Sequence, residues 1–187
     1  MATLANVLAE PDVRDALQRF FAMLSLALLA GTVVVLAARL LYGRTSWAST
    51  LVEGFRPFAL PLAAAVTATS TVGSLYFSEV ANYTPCILCW YQRTMMYPLG
   101  IVLTVFAVAR RRGAGWVAVP LGLTGLGVSA YHVVIERIPS LHSPMCSTEV
   151  PCNVVWFAEF GFVSLAFMAL TGFFSAIVFT TLPNEPV

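Results

Sequence analysis

Residues 106–120 read FAVARRRGAGWVAVP. Three consecutive arginines, Arg110, Arg111 and Arg112, stand in a very short turn between uncharged apolar runs at 94–109 and 114–135. Apolar segments of roughly 20 residues have the length of a helix crossing a bilayer. The stretch therefore predicts a helical hairpin, 90–109 with 114–135, closed by an arginine-rich turn. Arginines in short turns are retained on the cytoplasmic side, which orients the hairpin.

Working outward, further uncharged apolar runs occur at 20–38, 57–78 and 160–182, making five candidate helices. Counting spans from the arginine turn places segments 79–89 and 137–153 together on the outer face. The linker 43–56 then lies inside, with Arg44 and Arg56 in it and Arg39 just before it, in independent agreement with the charge rule. Residues 1–19 mix Glu10, Asp12, Arg14, Asp15 and Arg19, unlike the short basic start of a secretory signal. No small-x-small cleavage site follows, so the first run is expected to be a retained helix with its N-terminus outside. EPDVRDALQRF (10–20) before it reads as a short interfacial helix or a tail. Pro61 and Pro98 are expected in end turns of their runs, and Pro139, Pro144 and Pro151 in the outer loop. GLTGLG at 122–127 offers small residues for close helix packing.

Composition agrees. Of 187 residues 59% are hydrophobic and 10% charged, against about 25% charged in soluble domains, and the mean hydropathy is +0.83. The expected fold is an all-α integral membrane protein without a separate soluble domain. Ten arginines against nine acids leave no basic patch of the kind nucleic-acid binding needs, so no nucleic-acid partner is expected.

The chemistry is carried by four cysteines. Cys86 and Cys89 form a C-x-x-C in TPCILCWYQR (84–93), and Cys146 and Cys152 a C-x5-C in the outer loop. Two pairs on one oxidising face suggest thiol–disulfide exchange, and a C-x-x-C bridge closes a very small ring, the labile and oxidising kind. Cys89 falls at the first turn of a helix, where free N–H groups and the helix dipole favour a thiolate. Arg93 is one turn further along the same face, placed to support that thiolate or to meet a polarised carbonyl oxygen; Tyr97 continues the stripe. A membrane helix directly after the motif points to an electron carrier dissolved in the bilayer. A quinone fits by its chemistry: it takes two electrons and two protons and presents carbonyl oxygens.

PCILCWYQR followed by MYPL resembles the C-x-L-C-x-x-x-R signature of the DsbB family of disulfide-bond formation membrane proteins, especially its Gram-positive BdbC-type branch. The resemblance covers 57–182, with EFGFVSLAFMAL (159–170) similar to the start of the final helix. It implies a four-helix transmembrane bundle over 57–182, preceded here by an extension, 1–56, with one additional N-terminal transmembrane helix, and followed by a tail, 183–187. It further implies a bacterial cytoplasmic-membrane protein that re-oxidises an extracytoplasmic, DsbA-like thioredoxin-fold thiol oxidase and passes the electrons to ubiquinone or menaquinone. By the same resemblance Cys86 and Cys89 are the quinone-side pair and Arg93 the arginine beside the quinone. Cys146 is the cysteine attacked by the partner, Cys152 the one that exchanges with Cys86, and His132 a histidine near the quinone. Two features depart from the pattern: the C-x5-C loop is far shorter than in the enterobacterial type, and the helix at 20–38 lies outside the resemblance.

Other readings exist for the same residues. The cysteines could be static bridges of a non-enzymatic scaffold or a four-cysteine zinc site, since C-x2-C is also ligand spacing. Arg93 could snorkel to headgroups, and His132 could be a packed, hydrogen-bonded histidine. A vitamin K epoxide reductase-like arrangement would place the C-x-x-C after the loop pair, the reverse of this order. His142, Glu79, Glu136 and Glu159 are read as boundary or solvent-facing residues, Glu159 near the start of the last helix.

Overall fold

The computed structural model of the chain describes residues 8, 10–111, 113–138, 146 and 150–182. Arg112, Pro139, His142, Pro144 and the tail 183–187 lie outside the described residues. Among those described, the chain is all-helical: α1 Pro11–Leu40, α2 Ser46–Leu75 with a π-helical turn Tyr76–Val80 after it, α3 Ile87–Val108, α4 Gly115–Arg137 and α5 Leu165–Thr180. Three helical segments are long and apolar enough to cross a membrane, Pro11–Leu40, Ser46–Val80 and Gly115–Arg137. α3 has 22 residues, but Gln92, Arg93 and Thr94 interrupt its outer half. α5 is apolar with 16 residues. Large apolar side chains face outward on several helices, among them Phe58, Ile101, Val108 and Trp116. An apolar exterior of that kind suits lipid rather than water.

α2 packs against α3, α3 against α4, α4 against α5 and α5 back against α2, a closed ring of four helices; α1 lies outside it, over the seam between α5 and α2. Glycines permit the closest approaches. A Cβ on Gly125 would collide with the Phe173 ring, and one on Gly122 would come 2.7 Å from Ile177 Cγ1, so α4 and α5 meet where these residues are glycine. Hydroxyl pairs join the apolar faces: Thr32 Oγ1 and Ser175 Oγ lie 2.8 Å apart between α1 and α5. Arg39 Nη1 donates to Thr181 Oγ1 at 2.7 Å at one end of that seam, and Gln18 Nε2 to the Tyr83 hydroxyl at 2.5 Å at the other.

Several element boundaries differ from the sequence-based expectation. Residues 11–20 are the first turns of α1, opened by Pro11 at the first helical position and Asp12 in the first turn. Most of the expected linker 43–56 is helix: α2 begins at Ser46, because Ala48 and Val52 bury against Val35 and Ala38 of α1 in one core cluster. Pro61 and Pro98 sit inside helices rather than in end turns, as does Pro57. The last helix starts at Leu165, not at 160, since Phe160 and Gly161 take positive φ (54° and 78°) and Glu159 and Val163 pair across the bend. Arg137 clamps that bend by donating to the carbonyls of Gly161 and Phe162. Glu159 thus precedes α5 by six residues and faces Arg19 of α1 at 3.9 Å.

Candidate functional site: a dithiol, a disulfide and an apolar cavity

The spacing of Cys86 and Cys89 is the spacing of a helix cap. Cys86 is the N-cap of α3, in extended conformation, and its Sγ accepts the Cys89 N–H at 3.4 Å. The cap places the two sulfurs 3.0 Å apart, unbonded, a reduced dithiol. Cys146 and Cys152 are joined in a disulfide. Cys86 and Cys152, with 5% and 2% exposure, share one buried cluster with Leu88 and Ile135, against which Cys89 and Cys146 also pack. Cys146 is the more open of the loop pair. All four cysteines gather at one end of the bundle, opposite the turn carrying Arg110 and Arg111.

The helix terminus acts on Cys86 more directly than on Cys89, against the expectation from position alone. The hydrogen bond from Cys89, partly opposed by burial and reinforced by His132, lowers the Cys86 thiol from 9.0 to about 4. Of the two sulfurs, Cys86 is the one the cap and His132 favour as the thiolate.

His132 of α4 sits behind Cys86, 3% exposed. Gln92 Nε2 lies 3.4 Å from its Nδ1; an amide nitrogen only donates, so the ring carries its proton on Nε2. That Nε2 is 3.2 Å from the Cys152 carbonyl, 3.7 Å from Cys86 Sγ and 4.0 Å from a Glu136 carboxylate oxygen. Glu136 is itself buried and accepts the hydroxyl of Ser164, the N-cap of α5. A chain of contacts Gln92–His132–Cys86 and His132–Glu136–Ser164 therefore ties α3, α4 and α5 together beneath the cysteines. Gln92 and Ser164 were not singled out by sequence reading, and Glu136, expected as a boundary residue, is instead buried in the site. Their one legible signal is the i, i+4 spacing of His132 and Glu136.

On the other side of Cys89 lies an apolar cavity of about 390 Å³, within the range of small-molecule sites. Cys89, Gln92, Arg93 and Tyr97 of α3 reach it, as do Ser74 and Phe77 from the α2 side. Cys86 and His132 do not line it. Arg93 Nη2 donates to the Ser74 carbonyl at 3.0 Å, next to the π-helical turn, and the guanidinium lies 5.4 Å from the Trp90 ring centroid. At the cysteine end, Trp156 stacks on Tyr83 (4.8 Å) and Tyr83 on Phe77 (5.9 Å), and all three line the cavity. The one-turn spacing of Cys89 and Arg93 thus brings both to the same space.

The donor atoms of Cys86, Cys89 and His132 all lie within 4.8 Å of one another, a spacing that also suits a metal ion. A four-cysteine zinc site is a different matter: Cys146 and Cys152 are bonded to each other, and a disulfide offers no thiolate ligand.

A pair of thiols beside an apolar cavity, packed in one cluster with a partly open disulfide, defines a multi-pass membrane protein built for thiol–disulfide chemistry. The sequence model of the family described as Disulfide bond formation protein DsbB matches residues 56–183, and the chain belongs to that family. It is 42% identical over 105 residues to the Probable disulfide formation protein of Oceanobacillus iheyensis, covering 54% of this chain and 71% of that one. It is 36% identical over 127 residues to Probable disulfide formation protein C 1 of Bacillus anthracis, covering 67% and 91%. With Disulfide bond formation protein C of Bacillus subtilis it shares 34% identity over 118 residues, covering 63% and 86%. No solved structure matches. The protein is a bacterial membrane protein of disulfide-bond formation.

Proposed function

We propose that the protein is a quinone-dependent thiol oxidase which re-oxidises a thioredoxin-fold partner outside the cell membrane. The observation that carries this reading is Cys89: it is at once in contact with Cys86 and in the wall of an apolar cavity that Arg93 also lines.

The electron path follows from thiolate attack on disulfides. A partner thiolate attacks Cys146 Sγ, breaking the Cys146–Cys152 bond and releasing the Cys152 thiolate. The partner's second thiolate then takes the partner sulfur back, leaving the partner oxidised and Cys146 and Cys152 reduced. Cys152 attacks Cys86 of a Cys86–Cys89 disulfide, which frees Cys89 as a thiolate facing the cavity. Attack of Cys146 on Cys152 restores the loop disulfide and returns Cys86 as the second thiol. The product is a loop disulfide with a Cys86/Cys89 dithiol. The partial exposure of Cys146 and the burial of Cys152 fit their roles as attacked and leaving sulfur.

The cavity suits ubiquinone or menaquinone: it is apolar and lined by a guanidinium. A bound quinone would accept the two electrons and two protons released as Cys86 and Cys89 form their bond. Arg93 is the residue to hold a carbonyl oxygen there, and His132, with its proton on Nε2, the residue to donate to the Cys86 sulfur. The ring α2–α5 would be the four-helix transmembrane bundle and α1 an additional span. Arg39, Arg44, Arg110 and Arg111 would lie on the cytoplasmic side and the cysteines outside.

The test is trapping. A thioredoxin-fold oxidase lacking its resolving cysteine, mixed with the purified protein, is expected to form a mixed disulfide with Cys146 as the Cys152 thiolate leaves, an adduct that Cys146→Ser and Cys152→Ser each abolish because either leaves no loop disulfide to attack. Failure to trap any adduct, or an adduct on Cys86 alone, would overturn the path.

A further inference from the structure

Helix α1 lies outside the residues matched by the family, yet it forms a wall of the cavity. Phe21, Leu24, Ser25 and Leu28 line it, a spacing that places all four on one helical face. The wall is pinned: the Gln18–Tyr83, Thr32–Ser175 and Arg39–Thr181 hydrogen bonds hold α1 along its length. A Cβ on Gly73 of α2 would lie 3.1 Å from the Phe21 ring, so the missing side chain lets α1 come close. Ser25 supplies the independent observation. It is 6% exposed, it lines the cavity, and its buried Oγ has no hydrogen-bond partner among the described residues. Buried hydroxyls are nearly always paired, because leaving one unpaired forfeits its hydrogen bond to water. An unpaired hydroxyl on a residue of the cavity wall is available to a ligand atom.

A para-quinone carries two carbonyl oxygens at opposite ends of its ring, and so has acceptors for two separate donors. Arg93 on α3 is one such donor, and Ser25 on α1 is a buried hydroxyl of the cavity wall that has no partner among the described residues. We infer that α1 completes the acceptor site, the Ser25 hydroxyl donating to a quinone carbonyl oxygen while Phe21, Leu24 and Leu28 bound the space taken by its apolar body. This inference rests on the quinone reading above and adds to it that the N-terminal helix sets the affinity for the acceptor.

The experiment is equilibrium binding, read as quenching of intrinsic tryptophan fluorescence in the full-length reduced protein in detergent, with short-chain ubiquinone and menaquinone analogues as probes. Ser25→Ala is expected to raise Kd about five-fold, the loss of one neutral hydrogen bond. Leu28→Trp, which fills the wall, is expected to raise it roughly ten-fold or more by exclusion. Val33→Trp, on an exposed position of α1, is expected to leave it unchanged. Thermal unfolding of each variant separates lost binding from lost fold, and the conservative Ser25→Ala keeps the test open where Leu28→Trp fails to fold. Wild-type Kd in both Ser25→Ala and Leu28→Trp, with Arg93→Ala weakened, would overturn the role of α1 and leave the quinone reading intact. No binding of either quinone by the wild type would overturn the quinone reading, and the inference with it.

Discussion

At the residue scale the site turns on one sulfur. Cys86 caps α3, touches Cys89 and His132, and shares a buried cluster with Cys152. Its pKa lies below the ordinary thiol value of 9.0, so its thiolate and the stability it lends the reduced protein are full above that value and are lost as pH falls through about 4. Thiolate ultraviolet absorbance of the reduced protein is therefore expected to show one equivalent persisting well below neutral pH, and Cys86→Ser to remove it. A single titration near 9.0 would contradict the assignment. His132→Ala withdraws the Nε2 proton from that sulfur and is expected to move the same titration upward while leaving quinone Kd near wild type, since His132 does not line the cavity. An unchanged titration would reduce His132 to packing. The two cysteine pairs and Arg93 were legible in the sequence because redox spacing and helical periodicity are local. Gln92, Glu136 and Ser164 were not, because Ser164 meets Glu136 across 28 residues of chain and nothing local marks either as buried.

At the element scale, packing is decided by what is absent from α4. Gly125 faces Phe173 with no room for a Cβ, whereas Gly127, two residues on, faces open space. Gly125→Leu is expected to cost about 1–3 kcal/mol through overpacking, and Gly127→Leu far less, as read from thermal unfolding in detergent. Equal losses would mean that helix propensity, not the α4–α5 contact, governs both. Where the helices lie was legible from apolar runs alone. Their ends were not. Counting spans places a linker at 43–56, yet tertiary burial of Ala48 and Val52 on α1 carries the helix through most of it. At the other end, paired positive-φ residues shorten α5 where hydropathy would have continued it.

At the scale of the whole molecule, cysteines and arginines occupy opposite ends of the helical ring, and an extra helix closes the side of the cavity. With the basic end inside, a membrane-impermeant thiol reagent applied to intact reduced cells is expected to label Cys146, while a cysteine introduced by Arg111→Cys reacts only once the membrane is opened. The opposite pattern would invert the topology. The electron path is tested most directly by following quinone absorbance with the purified protein and a reduced thioredoxin-fold oxidase, in wild type and in Cys89→Ser. The account predicts one quinone reduced per partner disulfide formed by the wild type, and none by Cys89→Ser. Undiminished reduction by Cys89→Ser, or none by the wild type with either benzoquinone or naphthoquinone acceptors, would contradict it.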